Sequence, residues 1–162
     1  MTEDHLPDRV RPRIFAASEL FLDMLWSVRS RAGSIDLETL LIYLIVNEAS
    51  MRVLLLGPTA RPEFRNHPAP PAYARGAISR ALIADKSGLP RETVRRKVNQ
   101  LIEIGLLVER RDGEVQSAPR LSEALFQSIG DECHAAVMRY HERLQELGEH
   151  SNPSDADLPF GP

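Results

Sequence analysis

The sequence predicts a mainly α-helical fold with one small β-hairpin, on three observations. Apolar residues recur at helical spacing over much of the 162-residue chain. Two short helical patterns meet at Gly88, where a tight turn is required. An Asp112-Gly113 pair, a strong hairpin signal, separates two short strand-like runs. The length fits one domain, or a small domain with helical extensions, and is long enough to bury a core.

Residues 1–12 are polar and contain proline, and are expected to form a flexible tail. The first helix is expected from about Arg13 to Arg31, since Ile14, Ala17, Phe21, Met24, Leu25 and Val28 share a face and Gly33 follows. Phe15, Leu22 and Trp26 add a second apolar stripe, which either meets another subunit or is buried within one. Ser34 or Asp36 can cap a second helix, Leu37 to Leu56, with Glu38 in the first turn where the helix dipole favours an acid. Its apolar character makes it the central scaffold. Gly57 and five prolines then impose a long surface loop over residues 57–76.

Composition excludes several classes of protein. With 43% hydrophobic and 27% charged residues the chain is neither fibrous nor wholly disordered. The lone Cys133 cannot form an intramolecular disulfide, and no Cys-x-x-Cys pair is present to hold zinc. Residues 1–13 lack the basic start and apolar stretch of a signal peptide, and the apolar run Leu40 to Val46 is far shorter than a bilayer span of roughly 20 residues. A cytoplasmic protein without a membrane partner is expected. The net charge of −3 is unevenly spread: residues 75–111 carry nine Lys or Arg against four acids, and residues 121–162 carry two against eight. A basic centre beside an acidic C-terminal part suits a phosphate-facing module on a repelling body.

The segment RALIADKSGLPRETVRRKV, Arg80 to Val98, holds the most informative pattern. Ala84 is small enough for two helices to cross closely, and Gly88 supplies a left-handed turn. Ile83, Leu89, Val94 and Val98 then line the corner, and Pro90 suits the first turn of the second helix, at about 90–104. Val94, Val98, Leu101 and Ile102 must face the core. Arg91, Glu92, Thr93, Arg95, Arg96 and Asn99 are left on or near the outer face, where Arg can pair with guanine, Asn with adenine and Glu with cytosine; Lys97 lies to the side and is expected on phosphate. Leu106 to Arg110 and Glu114 to Gln116 pair as a hairpin, with Arg110 and Arg111 at its tip to meet backbone phosphate or a minor groove.

The phrase GLPRETVRRKVNQLIEIGLLVERRDG resembles the turn, recognition helix and wing of the winged helix-turn-helix superfamily of bacterial regulators, MarR-like repressors in particular. The likeness is close over about 40 residues and extends to the flanking helices only in outline. It implies a mainly α fold with a small β-wing, a winged helix-turn-helix with N- and C-terminal dimerisation helices, and a homodimer on a roughly palindromic DNA operator. Repression is the commoner role in such families, and a small-molecule effector of unknown identity is left open. Two departures stand out: Ser87 occupies an often apolar position, and the Pro-rich loop replaces the usual short link into the first strand, which weakens transfer of any family ligand pocket.

After Pro119 a helical region is expected to about Gly148, interrupted at Gly130, with Asp131 able to cap its second part. Cys133, Val137, Tyr140, Leu144 and Leu147 form a seam like that of a short coiled coil. Dimerisation is expected through Phe15, Leu22 and Trp26 together with Val137, Tyr140 and Leu144. Residues 13–148 thus read as the folded domain, with a DNA-binding core at 35–117, and residues 149–162 as a disordered acidic tail. Cys133, His134 and His141 offer too few ligands for a metal site, so neither metal nor cofactor is expected. No phosphate loop, nucleophile elbow or zinc-protease motif is present, so an enzyme is not expected. The alternative function is a winged-helix module that docks on acidic proteins rather than DNA.

Overall fold

A computed structural model describes residues 7–33, 35–58 and 60–149. The expected tails at residues 1–6 and 150–162, and the alternative cap Ser34, lie outside the described residues. The architecture is mainly helical with a small two-stranded antiparallel sheet, and its described residues divide into two units, one within residues 33–127 and one formed by residues 7–32 with 128–149.

In the unit of residues 33–127, helix α2 (Leu37–Leu56) is the centre. Asp36 caps it, its side chain accepting from the Thr39 amide, and the stripe Thr39, Ile42, Val46, Ser50 and Leu54 is buried. α2 is long and apolar enough to cross a membrane by length and composition. In this unit it packs against α4 (Arg80–Ser87), α5 (Arg91–Glu103) and strand β2 (Val115–Ser117), and the short helix at Pro62–Arg65 also touches it. Ile42, Val46, Ile83, Val94, Val98, Leu101 and Val115, all fully enclosed, make the core of this unit.

Gly88 closes α4 at φ 68°, its amide donating to the Ala84 carbonyl at 2.9 Å, and α5 begins three residues later. Pro90 stands just before α5 as its cap rather than within the first turn, a shift of one residue from expectation. The hairpin pairs β1 (Leu107–Glu109) with β2 in the register Leu107 to Ser117 and Glu109 to Val115. The expected second strand, Glu114 to Gln116, therefore lies one residue further on. All three β2 residues are buried, because Ser50 of α2 accepts from the Ser117 amide on one side and the end of the Pro-rich segment covers Gln116 on the other.

The Pro-rich segment is more ordered than a plain surface loop. It contains α3 (Pro62–Arg65) and a 3-10 turn, Ala72–Ala74. Gln116 Nε2 donates to the carbonyls of Ala72 and Arg75, both at 3.0 Å. Gly76 lies against α2 so closely that a Cβ there would collide with the Ala49 carbonyl. Ile78 then bridges Val115 in both directions at 3.0 Å, which fixes the hairpin to the start of α4.

The other unit holds α1 (Val10–Ala32) and residues 128–149, most of them from helix α6 (Ala124–Glu146). α1 starts three residues before the expected Arg13, inside the expected tail. Pro12 falls in the first turn, where its missing N–H leaves no bond unmade. α6 runs unbroken through Gly130 and Asp131, so the expected interruption and cap are absent. A single helical glycine costs only about 1 kcal/mol, too little to break a helix flanked by good helix formers. The two helices run antiparallel and are joined along charged edges: Arg13 to Glu149 at 3.1 Å, Glu19 to Arg143 at 2.8 Å, Asp23 to Arg139 at 2.7 Å, and Arg31 to Glu132.

Candidate nucleic-acid interface

α5 presents two chemically opposite faces. Val94, Val98 and Leu101 are wholly buried against α2 and α4, and this requires Arg91, Glu92, Arg95 and Arg96 to point outward, where all four are exposed. Thr93 is half-buried beside them. Glu92 holds Arg95 through two hydrogen bonds at 2.9 and 2.6 Å. That contact lowers the Glu92 pKa and raises that of Arg95. Among the described residues, Arg91 and Arg96 form no ion pair, although the charge of Arg96 also helps to lower the Glu92 pKa.

Arg110 and Arg111 are both exposed around the turn of the hairpin. Gly113 takes φ 81° there, as a type of turn with an Asp-Gly pair demands, and its amide donates to the Arg110 carbonyl at 3.0 Å. Asp112 pairs with Arg110 at 3.0 Å, whereas Arg111 has no acidic partner among the described residues.

Lys97 corrects the sequence reading. Rather than standing at the side of the helix, it is only 4% exposed. Its ammonium donates to both carboxylate oxygens of Asp36, at 2.7 and 2.8 Å, and to Thr39 Oγ1 at 3.1 Å, with Glu38 at 3.3 Å. The cause is geometric: position 97 flanks the apolar stripe, so the aliphatic stem lies on the core and the charge reaches the N-terminus of α2. This enclosed cation is not available to phosphate. Asn99 is also partly committed, since it is half-buried and its Oδ1 accepts from Arg80 at 3.4 Å.

Arg80 is the residue that periodicity did not reveal. From the first turn of α4 it donates to Glu109 Oε1 and Oε2 at 3.1 and 3.2 Å, to the Gly113 carbonyl at 3.0 Å and to Asn99. It thereby ties the hairpin to α5 and lowers the Glu109 pKa. The only sequence signal was a basic residue at a helix start, a place where the helix dipole disfavours a positive charge.

The residues expected to dimerise all fall in the unit of α1 and α6. Phe15, Leu22 and Trp26 are exposed, Trp26 by 66%. Val137, Tyr140 and Leu144 are half-buried. α6 meets α1 through Glu132, Arg139 and Arg143, and Tyr140 of the seam lines one groove with Leu22 and Trp26 of α1, while Val137 and Leu144 stay half-buried. Burial pushes the Cys133 thiol above its usual pKa, which disfavours the reactive thiolate. No group of three or more His, Cys, Asp or Glu side chains converges among the described residues.

No protein-family profile matches the chain, and no curated protein matches it. Among solved structures, the crystal structure of RV1404 from Mycobacterium tuberculosis is similar over 96% of this chain and 88% of that one, with 14% identity and a TM-score of 0.47.

Proposed function

We propose that the chain is a sequence-specific, duplex-DNA-binding transcription regulator of the MarR-like winged helix-turn-helix kind. One observation carries this reading: Arg91, Arg96 and Arg111 are exposed and outside any ion pair among the described residues, on a helix and a hairpin that Arg80 holds together. Unpaired cations fixed on two projecting elements have their best partner in a polyanion with a groove.

In this reading α5 enters the major groove by its N-terminal end, where Arg96 and Arg91 reach base edges. The hairpin is the wing, and Arg110 and Arg111 lie on the backbone beside it. The contact of Arg95 with Glu92 opens or stays according to the base presented, since Glu92 can accept from cytosine. The exposed aromatic and aliphatic residues of α1, with the seam of α6, support a homodimer. Two copies then read two half-sites about one helical turn apart, roughly 34 Å. Repression, a cytoplasmic site and the absence of catalysis belong to the same proposal.

Selection of duplexes from a random DNA pool tests it. Enrichment of an inverted repeat supports sequence-specific binding by a two-fold dimer. A pool that gains no sequence after repeated rounds contradicts it, and favours a docking module for acidic proteins.

A further inference from the structure

Glu92 is the one acid in the N-terminal half of α5, where Arg91, Arg95 and Arg96 share the outward face with it. The wholly buried Val94 and Val98 fix that orientation. The helix dipole accounts for an acid in the first turn, but not for the geometry of its partner. Arg95 donates from Nε to Oε2 at 2.9 Å and from Nη2 to Oε1 at 2.6 Å. This side-on fork uses one edge of the guanidinium and one lone pair on each carboxylate oxygen.

What the fork leaves over is a recognition surface. Both side chains stay largely open to solvent, Glu92 at 74% and Arg95 at 59%. The second lone pairs of the carboxylate and the N–H groups of Nη1 take no hydrogen bond among the described residues. The pair therefore holds an acceptor and a donor side by side. A carboxylate carried between phosphates is repelled unless a donor meets it. In the major groove only cytosine N4 and adenine N6 are donors. Adenine N6 lies between two acceptors, its own N7 and the O4 of thymine, so one of them would face the carboxylate. Cytosine N4 has guanine O6 and N7 together on one side, where a guanidinium meets them and no acceptor faces the acid.

We propose, resting on the reading of α5 as a recognition helix, that Glu92 and Arg95 act as one unit that selects a C·G base pair. The carboxylate accepts from cytosine N4, and Arg95 Nη1 donates to guanine. Any other base pair requires the fork to open, which gives up a contact already made before DNA arrives. Two side chains that read separate bases would act independently. Here both substitutions must act on the same operator position.

Selection from a random duplex pool with the full-length wild type, Glu92→Ala and Arg95→Ala tests it, followed by fluorescence anisotropy on the enriched duplex. The wild type should prefer C·G at one position of each half-site by about tenfold or more over other base pairs. Both variants should relax that same position and no other. Glu92→Ala should also bind unrelated duplexes more tightly than the wild type, since a negative charge has left the field of the phosphates. Replacing the selected cytosine by N4-methylcytosine, whose methyl group takes the place of the N–H in the major groove, should weaken the wild type by about tenfold and leave Glu92→Ala unchanged. A contact that only steadies the helix would move none of these preferences. The inference is overturned, with DNA binding intact, if the wild type enriches a repeat but the variants relax different positions or none. It is also overturned if N4-methylation leaves wild-type binding unchanged. A pool that enriches no sequence removes the reading of α5 as a recognition helix, and this inference with it.

Discussion

The ammonium of Lys97 lies 2.7 Å from Oδ1 of Asp36, so the helix that carries the outward arginines is tied to the N-terminus of the core helix. The two partners differ in burial, Lys97 enclosed and the Asp36 side chain 55% exposed. Removing either one should therefore not cost the same. Asp36→Ala loses a cap worth about 1 kcal/mol and strands a buried cation, partly relieved by Glu38. Lys97→Met replaces the buried charge by an apolar chain of similar length and returns the carboxylate to water. Urea unfolding should show Asp36→Ala destabilised by about 2 kcal/mol and Lys97→Met by less than about 1 kcal/mol. Equal losses would show that the pair acts by direct attraction alone.

The same contact has a pH signature. The hydrogen bond from Lys97, followed by that from the Thr39 amide, holds the Asp36 carboxyl well below the usual range. A carboxylate depressed in the folded state contributes stability above its unfolded pKa, about 4, and loses it as pH falls toward the folded value. Stability should be level from neutrality to about pH 4 in this respect and fall below it. Asp36→Asn, which keeps a capping oxygen but no charge, should flatten that acid limb in urea unfolding. An unchanged slope between wild type and Asp36→Asn would contradict the assignment.

Much of the fold was legible from the sequence, for reasons that particular residues make plain. α2 matches its expected bounds, Leu37 to Leu56, because Asp36 caps it and Gly57-Pro58 stops it. The corner at Gly88 and the turn at Asp112-Gly113 were readable because few residues adopt a positive φ. Lys97, Arg80 and Arg75 were not readable. Each is set by a partner 61, 29 or 42 positions away in the chain, and periodicity reports a face but not what meets it. The antiparallel charge pairing of α1 with α6 was hidden for the same reason, since the apolar seam drew attention one residue away.

Two glycines should respond differently to alanine. Gly88 has open space around a new Cβ, so Gly88→Ala bears only the strain of a left-handed residue, about 1 to 2 kcal/mol. At Gly76 the new Cβ would strike the Ala49 backbone, which cannot move without displacing α2. Gly76→Ala should cost clearly more, at about 3 kcal/mol or above, in the range of overpacked cores. Similar midpoints for the two variants in chemical unfolding would argue against the tight seating of the Pro-rich segment on α2.

The dimer is tested at the seam. Tyr140→Asp with Leu144→Asp places two carboxylates on the half-buried face of α6 beside Val137. Sedimentation should show a wild-type dimer and a monomeric variant that keeps part of its helical circular-dichroism signal. Operator affinity should fall with the loss of paired half-sites. A wild type that sediments as a monomer at micromolar concentration and still binds one half-site would remove the dimer from the account.

Arg96 and Arg111 should differ in kind rather than degree. Arg96→Ala should cost roughly 1 to 3 kcal/mol of binding and relax the preference at one operator position. Arg111→Ala should weaken every sequence alike and reduce the salt slope by about 1. Lys97→Met should leave both affinity and slope at wild-type values, because its charge is spent within the fold. If Arg96→Ala and Arg111→Ala both lower affinity uniformly, α5 does not read bases.

The central claim, that the basic face of this chain meets nucleic acid, is tested most directly by titrating duplex DNA with the wild-type protein across salt concentration. Arg110 and Arg111, the two arginines assigned to the backbone, give four phosphate contacts in a dimer. With about four counterions released, affinity should fall by about 10² between 50 and 200 mM salt. Absence of binding at the lower salt, or an affinity that does not change between the two, would contradict it.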